Sequence, residues 1–278
     1  MKTKPWEVSD KFWTIVEPLI PKPERSKEKE YKRKAGGGRK PLLSRTVFAG
    51  IVYVLRTGIQ WKALPKLLFG SPSAVHRYFR EWEHRGFFQE LWLRGLAEYD
   101  ELEGIAWRWQ AIDGSTYKAP LARESSGANP TDRGKKGSKR HLLVDGRGVP
   151  LSIVVTGANR HDVSQLAAVL NGRIVSPFME NEEEHLCADA GYVGAELKKK
   201  MIAAGYTPHV RPRGEEKIEK VTTPGFKARR WVVEVSHSWF NRFRKLTIRY
   251  EKLHVTHMAL IHLAAAIIAL RKVGVIYG

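Results

Sequence analysis

The hydrophobic period of this chain changes near residue 105, and that change sets its architecture. Upstream of it, apolar residues recur at helical spacing. Val47, Ile51, Val54 and Leu55 form one such stripe, with Ser44 placed to cap it and Gly58 to end it. From Ile105 the period falls to two: Ile105, Trp107, Trp109 and Ala111 mark every second position, and the run reads as a strand ending at Asp113. Two more strand-like runs, 140–144 and 150–156, flank Asp145-Gly-Arg-Gly148 and read as a hairpin. Asp162 with Gln165 forms a capping box for a helix to Leu170. A strand at 185–189, a helix at 194–204, a strand at 206–211, a polar loop at 212–229 and a long helix from about 229 complete the chain. The order β-β-β-α-β-α-β-α is an α/β sheet whose first three strands form an antiparallel meander.

Helices are expected at 6–20, 44–57, 71–86 and 87–100. The first hundred residues are therefore mainly helical, with helix-turn-helix-like spacing at 44–84. Residues 21–41 are rich in Pro, Lys, Glu and Gly and read as a basic linker. The division that follows is an all-α domain at 1–104 and a sheet domain at 105–278 that ends in a buried helix.

Three carboxylates carry the chemistry. Asp113 and Asp189 each end a strand-like run, and Glu234 lies in an amphipathic helix (Arg230-Trp-Val-Val-Glu234). Val232, Val235, Trp239, Phe243 and Leu246 form the apolar stripe of that helix, which leaves Glu234 on the polar side with Arg230. Hard divalent cations prefer carboxylate oxygens. Two strand-end aspartates and a helical glutamate can hold two Mg²⁺ or Mn²⁺ ions for phosphoryl transfer, with no protein nucleophile. Cys187 is the only cysteine, which excludes a disulfide framework and a cysteine zinc site. His141, His161 and His185 lack close metal-ligand spacing.

The 278 residues carry a net charge of +19, far beyond what solubility needs. Nucleic acid is the partner this implies, and no segment reads as membrane-spanning or as an N-terminal signal. Lys22 to Arg45 holds ten Lys/Arg against three Glu. Further basic patches include Lys135, Lys136, Lys139 and Arg140, then Arg230, then Arg242 and Lys245. These are expected to contact DNA phosphates. Arg77 and Arg80, on the helix at 71–86, are expected on a recognition face in the major groove.

Five motifs in order then carry a resemblance. Ala111-Ile-Asp-Gly-Ser-Thr116, Gly137-Ser-Lys-Arg-His-Leu-Leu-Val-Asp145, Gly157-Ala-Asn-Arg-His-Asp162, Ala188-Asp-Ala-Gly-Tyr192 and Arg230-Trp-Val-Val-Glu234 resemble bacterial insertion-sequence transposases of the DDE type, in particular the insertion-sequence-five group. The resemblance implies a ribonuclease-H-like catalytic domain with Asp113, Asp189 and Glu234 as the metal-binding triad. It also implies Mg²⁺-dependent cutting and joining of DNA, recognition of terminal inverted repeats, and a dimer or larger assembly holding the element ends and target. A cytoplasmic, nucleoid-associated enzyme is the expectation. Two positions depart from the family's end-handling signature: Lys227 stands where Tyr is usual and Asn241 where Lys is usual. A stand-alone metal nuclease and a non-catalytic DNA-binding protein from a decayed element are the rival readings.

Overall fold

A computed structural model describes the chain except residues 1–3, 5, 23–29, 31–39, 178–182, 211–228, 230 and 277–278. Most of the basic linker (23–29 and 31–39), most of the loop before the last helices, Lys227 and Arg230 therefore lie outside the described residues.

The N-terminal part is helical, as its apolar spacing requires. Helix α1 (Asp10–Val16) is capped by the Ser9 hydroxyl, which accepts from the Phe12 N–H at 3.2 Å. Helix α2 (Ser44–Thr57) stops at Gly58, whose φ of 74° suits the left-handed C-cap. Ser44 is its first helical residue, not its cap; Leu43 takes the cap position without a side-chain bond. Helix α3 (Lys66–Phe69) is a single turn, and α4 (Pro72–His84) and α5 (Phe87–Glu103) follow.

The sheet begins later than its period suggests. Strand β1 is Trp109–Lys118, so Asp113 sits within the strand and not at its end. The preceding residues are tied to side chains instead: Ile105 N–H donates to Asp100 Oδ1 at 2.8 Å, and Ala106 N–H to Asp145 Oδ2 at 3.1 Å. Strands β2 (Gly127–Ala128), β3 (Lys136–Val144) and β4 (Pro150–Gly157) come next. After a 3-10 turn at 162–165, α6 (Leu166–Asn171) leads on to β5 (Glu184–Ala188), α7 (Ala195–Ala203) and β6 (Tyr206–Val210). The last helices are α8 (Trp231–Asn241), α9 (Arg244–Thr247) and α10 (His254–Lys272).

The strand order is β2-β3-β1-β5-β6, with β4 also pairing β3. β1, β3 and β4 run antiparallel, which is the expected meander, while β5 and β6 run parallel to β1. Helices cover both faces of this mixed sheet, the architecture expected of a ribonuclease-H-like domain, behind an all-α N-terminal part. One face presents Ala111, Leu142, Val144 and Cys187 to a core shared with α5, α8 and α10. The other presents Ile112, Leu143, Leu186 and Ala188 to α6, Tyr192 and Met201.

Helix α10 is long and apolar enough to cross a membrane by length and composition, yet 72% of its apolar window is buried inside the protein. It packs along α5, where a Cβ on Gly95 would lie only 3.3 Å from the Ala266 carbonyl oxygen. Its apolar face is thus spent on the N-terminal helices, and one hydrophobic cluster runs from Val8 to Val275.

Candidate active site

The strand register brings two of the three carboxylates together. Ala111 pairs with Cys187 across β1 and β5. Two residues further along both chains stand Asp113 and Asp189, where β5 ends and β1 continues. Neighbouring strands lie about 4.8 Å apart, so these side chains share one face at the carboxyl end of the parallel pair. This is the end of an open α/β sheet where ligand sites form. Asp189 is exposed and its Oδ1 accepts from Gly191 N–H at 2.8 Å, which fixes the turn after β5.

Glu234 approaches from α8, which packs across β1 and β3. Its side is exposed, as the helical wheel requires. The buried face of α8 is rotated from the expected stripe, however: Val232, Val233, Ser236, His237 and Phe240 are buried, whereas Val235 and Trp239 are only half-buried. The rotation has a polar cause. Ser236 donates to the Gly148 carbonyl at 2.7 Å, clamping α8 to the β3–β4 turn. Just ahead of the helix, Arg229 stacks 4.7 Å over the Trp109 ring.

The electrostatics of Asp113 report the grouping. Burial pushes its carboxyl up to about 6; the Gly114 N–H pulls the other way, and the negative charges of Asp189, Asp162 and Glu234 push it further up. Four carboxylates therefore act on one locus. Tyr192 closes the wall beside them, its hydroxyl pushed up by burial and then by Asp162, Asp113 and Asp189.

Asp162, expected first as a helix cap and second as a residue near the metal site, belongs to this group. It makes no helix cap, since His161 holds that position without a side-chain bond. Instead its carboxylate lies against the backbone of Gly114, where a Cβ would meet Asp162 Oδ1 at 2.0 Å. Lys139 Nζ binds Asp162 Oδ2 at 3.2 Å and the Arg160 carbonyl at 2.9 Å. His141 Nδ1 is 3.2 Å from Asp162 Oδ1, but neither atom has a hydrogen bond, so Lys139 is the firmer partner. Burial opposes the Asp162 charge, yet His141 and Lys139 overcome it and hold the carboxyl below its usual range. Motif position was the one available signal: Asp162 ends Gly157-Ala-Asn-Arg-His-Asp162.

His237 was missed. It is buried, and burial together with Arg140 holds its imidazole down to about 3, so it is neutral. Arg140 Nη2 lies 3.3 Å from His237 Nδ1. A guanidinium only donates, so Nδ1 accepts and Nε2 carries the proton. That Nε2 has no hydrogen bond and points toward Asp113 Oδ2 at 3.8 Å.

With this geometry in place, comparison with known proteins is decisive. A family model described as "Transposase DDE domain" matches residues 108–269, and one described as "Putative transposase of IS4/5 family" matches 8–92. The chain belongs to the DDE transposase family. A relative from Burkholderia cepacia, named "Putative transposase for insertion sequence element IS402", is 33% identical over 150 residues, 52% of this chain and 69% of that one. A second from the same organism, the "Insertion element IS402 uncharacterized 16.2 kDa protein", is 32% identical over 124 residues, 44% of this chain and 80% of its own length. Among solved structures, a pre-cleavage Mos1 transpososome matches at 10% identity and a TM-score of 0.30, covering 89% of this chain and 83% of that one. The Mos1 catalytic domain matches at 7% identity and the same score, covering 69% and 94%.

This transposase belongs to a family that works with a divalent metal, and its donors suit one. Carboxylate oxygens are the hard ligands that Mg²⁺ and Mn²⁺ take. The repulsion that raises Asp113 is what a cation would relieve. Among the described residues no three donors are drawn to ligand spacing as they stand, which is the disposition of like charges.

The cations sort into two sets. Arg77, Arg80, Lys135, Lys136 and Arg242 are exposed and Lys139 is half-buried beside Asp162. Ser73, His76, Arg77 and Arg80 line one open cavity of about 550 Å³, together with Glu81, Glu83, His84 and Val255. Arg140 and Lys245 are buried, at 1% and 4% exposure, which moves both off the DNA-facing set. Arg140 lies 4.4 Å over the Phe240 ring. Lys245 pairs with buried Glu251 at 3.3 Å.

Proposed function

We propose that Asp113, Asp189 and Glu234 form the metal-binding triad of this DDE transposase, and that it cleaves the ends of its own insertion sequence and joins them to target DNA. The observation that carries the reading is the half-buried Asp113 carboxyl, raised by burial and then by the charges of Asp189, Asp162 and Glu234, two residues beyond the Ala111–Cys187 pair that leads to Asp113 and Asp189. Asp113, Asp189 and Glu234 would hold the divalent ions. Bound there, divalent ions would activate the attacking water or 3′-hydroxyl and stabilise the leaving oxygen. The chain's own residues do the rest. The Nε2–H of His237, 3.8 Å from Asp113 Oδ2, is a donor available to that carboxylate. Lys139 and the Gly114 backbone fix Asp162 at the rim.

In this reading Lys135, Lys136 and Lys139 border the site and contact phosphates, Arg77 and Arg80 read the terminal repeat from α4, and Arg230 and Arg242 flank the Glu234 helix. Residues 1–104 recognise DNA and 105–278 catalyse. Two element ends call for at least a dimer, and a cytoplasmic enzyme on the nucleoid follows from its substrate.

The test is Mg²⁺-dependent cleavage and joining on DNA carrying the element's ends. Asp113→Asn should abolish both while end binding persists; cleavage that persists refutes the assignment. Joining separates a transposase from a stand-alone nuclease.

A further inference from the structure

The end of α8 remote from Glu234 forms, with the end of α10, an open cavity of about 400 Å³. Trp239, Ile268 and Ile276 give it an apolar floor, and Arg242, Arg271 and Lys272 give it a cationic rim. Lys272 Nζ sits 4.4 Å over the Trp239 ring. Among the described residues no acid forms an ion pair with any of the three cations and no carboxylate lines the cavity. Arg56 stands close by, over Phe243 at 4.3 Å, which adds to the positive charge. The crowding registers on the groups themselves: burial and then Arg242 lower Arg271, and burial and then Arg271 bring Arg56 down to about 9.

Cations at the last turn of a helix ordinarily offset its dipole, and Arg271 and Lys272 do this for α10. That accounts for neither Arg242, which follows α8, nor the indole-floored cavity between them. Mutually repelling guanidiniums around an apolar floor suit an anion with an apolar body. A nucleotide unit has that character, and the volume falls in the range of ligand pockets.

We propose that this cavity is a second DNA subsite: it takes one nucleotide of the strand that leaves the catalytic carboxylates, with its phosphate on Arg242 and Arg271. The proposal rests on the catalytic reading above. Glu234 and Arg242 are eight residues apart on one helix and its continuation, roughly 12 Å along the axis. At about 3.4 Å per nucleotide step, the phosphate held here is three or four nucleotides from the cut. Ser238, which lies between Glu234 and Arg242 on α8, is exposed along this track.

The experiment is phosphate-ethylation interference with the full chain on duplexes carrying the element's end. Ethylation three or four nucleotides from the cut should block binding by the wild-type chain. In Arg271→Gln/Lys272→Gln the interference at that position should disappear, and the slope of log affinity against log salt should fall by about 1 for each phosphate no longer neutralised. No interference there in the wild type, or the same interference and salt slope in the variant, overturns the subsite. Thermal unfolding of the variant is measured alongside; should it not fold, the wild-type interference pattern alone decides. Cleavage by the wild-type chain of a duplex truncated before the subsite, and its loss in Asp113→Asn, reports on the catalytic reading separately.

Discussion

Gly114 is the position at which a single methyl group would report on the whole rim of the site. In Gly114→Ala the new Cβ would stand 2.0 Å from Asp162 Oδ1, 2.9 Å from its Cγ and 3.1 Å from His141 Nδ1. Non-bonded heavy atoms settle near 3.5 Å, so the carboxylate must withdraw by roughly 1.5 Å. It is not free to do so at no cost, because Lys139 holds its other oxygen at 3.2 Å. Overpacking of this kind costs about 1–3 kcal/mol, and loss of a partly sheltered ion pair about 1 kcal/mol more. Gly114→Ala should therefore lose about 2–4 kcal/mol, or about 3–7 °C in thermal midpoint for a chain of this length. Asp162→Ala alone removes only the pair and should cost about 1 kcal/mol, since Lys139 keeps the Arg160 carbonyl. The double variant removes both the clash and the pair, so it should be about as stable as Asp162→Ala, a coupling of about 2–4 kcal/mol. Urea unfolding of the four proteins at pH 7 in metal-free buffer measures this. An unaffected Gly114→Ala, or losses that simply add in the double variant, would refute the placement of Asp162 on Gly114.

In metal-free buffer Asp113→Asn should stabilise the fold at high pH. The Asp113 carboxyl is raised from 3.8 to about 6 in the folded state, so the cost of keeping it charged is fully present above about pH 6 and gone below pH 4. A displacement of that size corresponds to about 3 kcal/mol, read as the difference in unfolding free energy between variant and wild type at pH 8 and at pH 4. His237→Phe removes the Nε2 donor facing Asp113 and should weaken divalent-metal affinity about 10- to 100-fold, whereas His237→Gln should keep most of it; Mn²⁺ titration of cleavage separates the two. Lys245→Met leaves Glu251 charged and buried and should cost about 3–5 kcal/mol, while adding Glu251→Leu should restore most of that, as seen in thermal midpoints. Salt-dependent DNA binding of the double variant should match wild type, because Lys245 faces the interior.

The order of elements and the meander were legible because both rest on hydrophobic period, which the sheet and helices must obey. The start of β1 was not. Ile105 and Trp107 keep the strand period because they are buried, yet the N–H groups of Ile105 and Ala106 go to Asp100 and Asp145 side chains instead of to another strand. Asp145 accepts from Tyr99, Ala106, Arg147 and Val149 at once, bonds that arise from tertiary placement and leave no local signature. Asp162 and His237 were hidden for a related reason. A buried polar residue looks like any surface residue in a hydropathy pattern, and only its partners distinguish it. The expected stripe on α8 was misplaced because Ser236 and His237 occupy buried positions that an apolar count assigns to Val235 and Trp239.

The cations show the same limit more sharply, and they bear on how charge is used here. A net +19 identifies a polyanion as partner but does not say which cations meet it. Adjacent residues on β3 answer differently: Lys139 points to the rim and binds Asp162, while Arg140, on the opposite face, is buried over Phe240 and fixes the tautomer of His237. The alternation of a strand is enough to send one cation toward Asp162 and the next into the packing beside His237. Arg249 extends the pattern, buried at 0% exposure with its guanidinium on the Ser125 carbonyl and the Ser138 hydroxyl. Part of the positive charge is thus structural. It braces the strands and helix that carry Asp113 and Glu234, and the salt dependence of DNA binding should count only the exposed remainder.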